Sequence, residues 1–198
     1  WRAGGVEIGV IGEAADLTYD YAHLGAGIDS LSDLAAGKGS FAKVLKNAQR
    51  PIIVVGEGAV TGASAKNVLG LATEIARTAG ALTADWNGFA VLHNAASRVG
   101  ALDIGFVPGR GGLDTAGMLK AAGAGKLDVI FVLGADEIDM STLGETKVVY
   151  IGTHGDAGAH RADVILPAAT YTEKSATYVN TEGRVQMTAR AAFAPGDA

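Results

Sequence analysis

Asp128-Val129-Ile130-Phe131-Val132-Leu133, closed by Gly134, is a short apolar run of β-branched and aromatic residues. Such a run bounded by a turn residue reads as a strand of a parallel sheet, buried on both faces. Lys147–Ile151 (K-V-V-Y-I) and Val164–Leu166 repeat the pattern downstream, the second stopped by Pro167. Upstream, Pro51 introduces Ile52-Ile53-Val54-Val55, a continuous apolar run of the same kind, and Val6–Ile11 reads as a strand or its remnant. Helical spacing separates these runs. Val68, Leu71, Ala72, Ile75, Ala76 and Ala79 form one stripe over Ala63–Ala79, and Gly80 fits its stop. Phe41, Val44, Leu45 and Ala48 form another after Ser40. Strands alternating with helices imply an α/β fold: a parallel sheet with helices on both faces, Rossmann-like, over residues 1–198 as a single region.

Smaller features refine this outline. Ser30-x-x-Asp33 resembles a capping box opening a short helix that Gly37 ends. Asp16–Gly27 reads as a loop, and Ala81–Ala84 as a further strand. Residues 85–112 read as a long connection with one short helix, and Asp114 or Thr115 caps a helix to about Ala122. Ser40, Ser64 and Ser141 stand at plausible helix caps, with no nucleophile context around them.

Composition narrows the function. Among 198 residues, 48% are hydrophobic and 19% charged, enough for a core. A net charge of −5 argues against a nucleic-acid partner, which needs clustered Lys and Arg. No apolar run reaches the roughly 18–20 residues of a direct membrane span. With no cysteine, thiolate-held zinc and iron–sulfur clusters are excluded within these residues. The first residue is Trp1, without Met or a basic leader, so the sequence reads as a piece of a longer polypeptide.

Four motifs invite chemistry. Gly56–Gly62 (G-E-G-A-V-T-G) lies between a strand and a helix, where a dinucleotide turn sits, and Asp85 follows the next expected strand. Its spacing departs from the nucleotide fingerprint, and Glu57 puts negative charge where phosphate would lie, so a structural turn is preferred. Gly109-Arg110-Gly111-Gly112 lacks the Lys-Ser/Thr of a phosphate loop and reads as a surface turn. His154, Asp156 and His160 have metal-competent side chains on a loop with two glycines. The preferred reading gives His154 and His160 hydrogen bonds to backbone or to Asp163. Asp136 and Glu137 end the first strand as a solvated acidic loop.

The stretch Ala162–Gln186 reads A-D-V-I-L-P-A-A-T-Y-T-E-K-S-A-T-Y-V-N-T-E-G-R-V-Q. It is too aromatic for a linker and too polar for a core strand, so its polar groups bond to one another and to nearby backbone. Glu173 and Arg184 can pair across the Asn180 turn. The pattern resembles the signature of the molybdopterin oxidoreductase superfamily. Glu173–Arg184 (E-K-S-A-T-Y-V-N-T-E-G-R) is most similar to the branch formed by the large iron–sulfur subunit of respiratory complex I, the NADH:quinone oxidoreductase. Leu133–Glu137 and Gly152–Asp156 resemble the same branch, moderately over Asp128–Gln186 and only generally before it.

The resemblance implies a structural, non-catalytic domain, with no catalytic, cofactor-binding or metal-ligating residue in this sequence. It implies iron–sulfur clusters elsewhere in the parent subunit, on cysteine-rich domains outside these residues. It also implies other peripheral-arm subunits as partners, and a peripheral place on the cytoplasmic face of a bacterial inner membrane or the mitochondrial matrix side. Catalytic members of the superfamily carry Asn-Pro after the glycine near the pterin, where this sequence has Asp136 and Glu137. Two other readings remain. One is a fragment of a molybdenum or tungsten pterin oxidoreductase such as a formate dehydrogenase. The other is a nucleotide-binding module using Gly56–Gly62.

Overall fold

The structure, a computed structural model, describes residues 4–196. The chain groups into two compact units, Trp1–Ala95 and Ala96–Ala198.

In the first unit, β1 (Gly9–Val10) pairs in parallel with β2 (Ala22–His23). Gly9 is required there, because a Cβ would come within 2.7 Å of the Phe41 ring. Helices α1 (Ile28–Ala35) and α2 (Ser40–Asn47) follow. Ser30 lies inside α1 rather than capping it. The helix starts earlier because Gly27, at φ 88°, supplies the entry bend without a side-chain cap. Gly37 ends the helix as expected: its N–H donates to Leu34 O and that of Lys38 to Asp33 O, a Schellman closure around a glycine at φ 74°.

Strand β3 (Ile53–Gly56) leads through a 3-10 turn, Glu57–Val60, into α3 (Ala65–Thr78). Ala72, Ile75 and Ala76 on the expected stripe are buried with Val55 of β3 and Ala81. The strand beside β3 is β4 (Phe89–Leu92), in parallel register with Ile53 opposite Phe89. It is not Ala81–Ala84. Those residues form a tight turn, in which Thr83 N–H donates to Trp86 O and Gly88 N–H to Ala81 O. Ala81 is buried while Leu82, Thr83 and Ala84 are exposed, and small alanines offer little to a strand surface. Ile52 and Val54 are exposed, so this two-stranded sheet covers one face only. The doubly buried reading of Ile52–Val55 is corrected accordingly.

In the second unit, α4 (Arg98–Asp103) and α5 (Thr115–Gly123) precede β5 (Val129–Leu133). A 3-10 turn, Met140–Leu143, leads to β6 (Lys147–Gly152), and α6 (Ala157–Arg161) to β7 (Val164–Pro167). The three strands lie side by side in parallel order β5-β6-β7. Parallel pairing with helical crossovers makes the fold α/β, as the strand and helix spacing implies. The core holds Ala122 of α5, Ile130 and Val132 of β5, Leu143, and Val148 and Tyr150 of β6. The strand residues among them share one sheet face. The opposite face leaves Phe131 66% and Leu133 68% exposed.

The hairpin β8 (Thr177–Val179) and β9 (Val185–Met187) is antiparallel and closes over Asn180–Arg184. Helix α4 packs on β8, where Gly100 lies under Val179.

Candidate functional site

In parallel α/β sheets ligands bind beyond the carboxyl ends of the strands. Three loops gather at that edge of β5-β6-β7. They are Gly134–Glu137 after β5, Thr153–Asp156 after β6, and Ala168–Glu173 after β7. Between the last two opens a cavity of about 220 Å3, walled by Gly152, Thr153, His154, Pro167, Thr170 and Glu173. Thr153, His154 and Glu173 each bond within the wall. Glu173 Oε2 accepts from Thr170 N–H at 3.1 Å, and His154 Nδ1 and Thr153 Oγ1 share a bond of 2.8 Å.

The acidic loop is not simply solvated. Asp136 is half-buried, and its Oδ2 accepts Gly158 N–H at 2.9 Å. That N–H is one of the donors that the first turn of α6 cannot satisfy internally, so Asp136 caps a helix twenty-two residues away. Tyr150 stands beside it, 4% exposed, with its hydroxyl donating to His154 O at 3.3 Å. Burial pushes the Tyr150 phenol up, and the charges of Asp136 and Asp156 add to the shift. Glu137 is exposed.

Neither His154 nor His160 bonds to Asp163. That carboxylate lies at the other end of the sheet, where Val148 N–H and Lys147 Nζ each donate to it at 2.9 Å. Arg161 Nη1 adds a longer contact of 3.4 Å, and Nη2 of the same guanidinium donates to Gly144 O and Thr146 O. These donors hold the Asp163 carboxyl at about 2, the Val148 amide being the largest cause. Among the described residues no group of three or more His, Cys, Asp or Glu side chains could hold a metal ion.

Gly56–Gly62 does not run straight into a helix. The 3-10 turn intervenes, Thr61 Oγ1 donates to Gly58 O, and Glu57 Oε2 accepts Asn94 N–H at 2.7 Å. Asp85 lies in the Thr83–Trp86 turn, not at a strand end, which removes the expected ribose-binding context. In the same unit, Nδ1 of His93 is buried without a hydrogen-bond partner, a feature no pattern in the sequence signals. Gly109–Gly112 is a turn closed by Gly112 N–H to Gly109 O, with Gly111 at φ 77°.

Asp114 caps α5 through Gly117 N–H as expected, but the serines do not cap. Gly39 precedes α2, Ser64 makes no side-chain cap, and Asp139 rather than Ser141 receives the turn amide. A carboxylate two residues before the amide reaches it with a better acceptor than a hydroxyl.

In the signature stretch, Asn180 Oδ1 accepts from both Glu182 N–H and Arg184 N–H, and Ser175 Oγ accepts from Arg190 N–H. The polar run is thus bonded internally, as its composition implies. Among the described ion pairs none joins Glu173 to Arg184, because Glu173 turns back onto Thr170.

Two redox groups can be tested against these residues. A thiolate-held iron–sulfur cluster does not fit a sequence without cysteine. A phosphate-bearing pterin does not fit a strand-end loop whose side chains are two carboxylates, one of them already fixed as a helix cap.

Known proteins resemble this chain. A molybdopterin oxidoreductase family model matches residues 1–198. An NADH-quinone oxidoreductase subunit of Rickettsia bellii is 40% identical over 197 residues, covering 100% of this chain and 27% of that protein. The NADH-ubiquinone oxidoreductase 75 kDa subunit of Reclinomonas americana is 39% identical, covering 98% and 28%. NADH dehydrogenase [ubiquinone] iron-sulfur protein 1 of Solanum tuberosum is 38% identical, covering 100% and 26%. The chain thus spans roughly a quarter of the curated relatives it matches. A solved chain of the formyltransferase/hydrolase complex of Methylorubrum extorquens shares the fold, at TM-score 0.61 and 17% identity over 94% of this chain and 61% of that one.

Proposed function

The chain belongs to the molybdopterin oxidoreductase family, and from that premise we propose that it is a non-catalytic structural region of the large iron–sulfur subunit of an NADH:quinone oxidoreductase. The observation that carries the reading is identity of about 40% along the whole chain to subunits of that enzyme. In this role it supports electron transfer from NADH to quinone without touching an electron carrier. It supplies no catalytic group, cofactor ligand or metal ligand. The strand-end groups support that view, since Asp136, His154 and Glu173 each bond to neighbouring protein groups. The iron–sulfur clusters of the parent lie on its other domains, and the partners are further peripheral-arm subunits. No described helix is long and apolar enough to cross a membrane. The parent is a peripheral subunit on the cytoplasmic face of a bacterial inner membrane or the matrix side of the mitochondrial one.

Affinity purification of the full-length parent from its native membranes tests this. Recovery with flavoprotein, iron–sulfur and proton-pumping membrane subunits, and with NADH:quinone activity, is the expected result. Recovery with bound molybdenum and a formate-type electron carrier overturns it in favour of a pterin oxidoreductase.

A further inference from the structure

Trp86-Asn87-Gly88-Phe89 contains the sole Asn-Gly step of the sequence. Asn-Gly is chemically the most labile asparagine context, because glycine has no side chain to obstruct attack by its own backbone nitrogen on the asparagine amide. The fold does not leave this step free. Gly88 is buried, its N–H donates to Ala81 O at 2.6 Å, and its carbonyl accepts Ile53 N–H at 2.7 Å. Asn87 Oδ1 is turned onward to accept Phe89 N–H at 3.2 Å. Trp86 Nε1 donates to Pro51 O at 2.9 Å, and Arg50 lies over the Trp86 ring at 5.4 Å. Both the nucleophile and the electrophile of cyclisation are therefore held in other bonds.

The glycine cannot be exchanged to remove the hazard. A Cβ at position 88 would collide with Pro51 O and come within 2.6 Å of Trp86 Nε1. Asn87 supplies the bond to Phe89 N–H that starts β4.

We propose that Asn87–Gly88 is a fold-gated deamidation site, silent while the Leu82–Phe89 turn is closed and converted through a cyclic imide once that turn opens. On opening, Gly88 N leaves Ala81 O, loses its proton and attacks Asn87 Cγ. The N–Cγ bond forms, the Cγ–Nδ2 bond breaks, and ammonia departs with the proton. Water then adds to either imide carbonyl, giving aspartate or isoaspartate, with no change of oxidation state. Isoaspartate adds a methylene to the backbone between Asn87 and Gly88. Gly88 O then no longer meets Ile53 N–H, and the Ile53–Phe89 register that follows it is lost. The time spent open is thereby recorded irreversibly in the covalent chain.

The test incubates the full-length parent at mildly alkaline pH, native and in concentrated urea, and follows the peptide containing Asn87 by mass and by isoaspartate content. Conversion in the native protein is expected to be roughly tenfold or more slower than in urea, with the Gly88 amide protected from hydrogen exchange to a similar degree. Asn87→Gln removes the signal in both. Trp86→Phe, which lacks the bond to Pro51 O, converts faster than wild type without denaturant and at the same rate in urea. Equal rates for wild type in the two solvents, or a Gly88 amide that exchanges unprotected, overturn the proposal. Should Trp86→Phe not fold, the wild-type comparison and the exchange measurement still decide it.

Discussion

Asp163 shows how one side chain ties two strands. It precedes β7 and accepts the first core amide of β6, at Val148, with Lys147 and Arg161 adding charge. Its carboxyl is held at about 2, below the ordinary 3.8, so folding favours the ionised form. That stabilisation is complete above about pH 4, where the unfolded chain is also ionised. It is lost as pH falls from there through about 2, because the unfolded state takes up the proton first. Asp163→Asn is therefore expected to melt lower than wild type at neutral pH, with the gap closing toward pH 2. A gap that stays constant across melting curves from pH 7 to pH 2 would show that charge at this position is irrelevant. Gly158 makes a steric argument instead. An added Cβ would lie 2.6 Å from the Tyr150 ring and 3.1 Å from Asp136 Cβ. Gly158→Ala should cost about 1–3 kcal/mol as overpacking, read from urea denaturation. A neutral Gly158→Ala would mean the ring has room to retreat.

Among the elements, legibility follows the range of the interactions that define them. The strands at 128–133, 147–151 and 164–166 and the long helix α3 are visible in the sequence because their patterns are local and continuous. Helix ends at Gly37 and Gly80 are visible for the same reason, since a glycine at positive φ is dictated within one turn. Strand β4 is not, because its identity depends on Ile53 and Gly88, thirty-five residues apart, meeting through one hydrogen bond. Asp136 reads as a solvated acid because the amide it caps is twenty-two residues downstream. The exposed face of β5 is hidden by its own composition. A strand apolar at every position gives no alternation to separate a covered face from an open one. That asymmetry is measurable. Leu143, fully buried, should cost about 2–5 kcal/mol on Leu143→Ala. Phe131→Thr, on the open face, should change stability little, within about 0.5 kcal/mol, while reducing dye binding to exposed apolar surface. A loss at Phe131 as large as that at Leu143 would show that the face is covered.

At the scale of the molecule, core and strand-end edge should behave differently if the region is structural. A catalytic edge makes activity sensitive to its polar groups while leaving the amount of protein unchanged. A structural region does the opposite, since only changes that unfold it reach the activity, and they do so by lowering the amount of assembled enzyme. Glu137 is exposed at the strand-end edge, and His154 lines the cavity, so both are accessible to that comparison. On the proposed function, Glu137→Gln and His154→Ala in the full-length parent should leave NADH:quinone turnover per assembled complex within about twofold, the span of an ordinary surface substitution. Leu143→Asp buries a charge in a site with no solvent access, and should deplete the complex itself. Separating the two effects requires activity and complex abundance from the same membranes, by turnover assay and native gel. Normal abundance with turnover lost in Glu137→Gln would place chemistry at the strand-end edge and remove the basis for a purely structural role. Depletion confined to Leu143→Asp, with turnover per complex unchanged in the other two, is what a scaffold built on this fold must give.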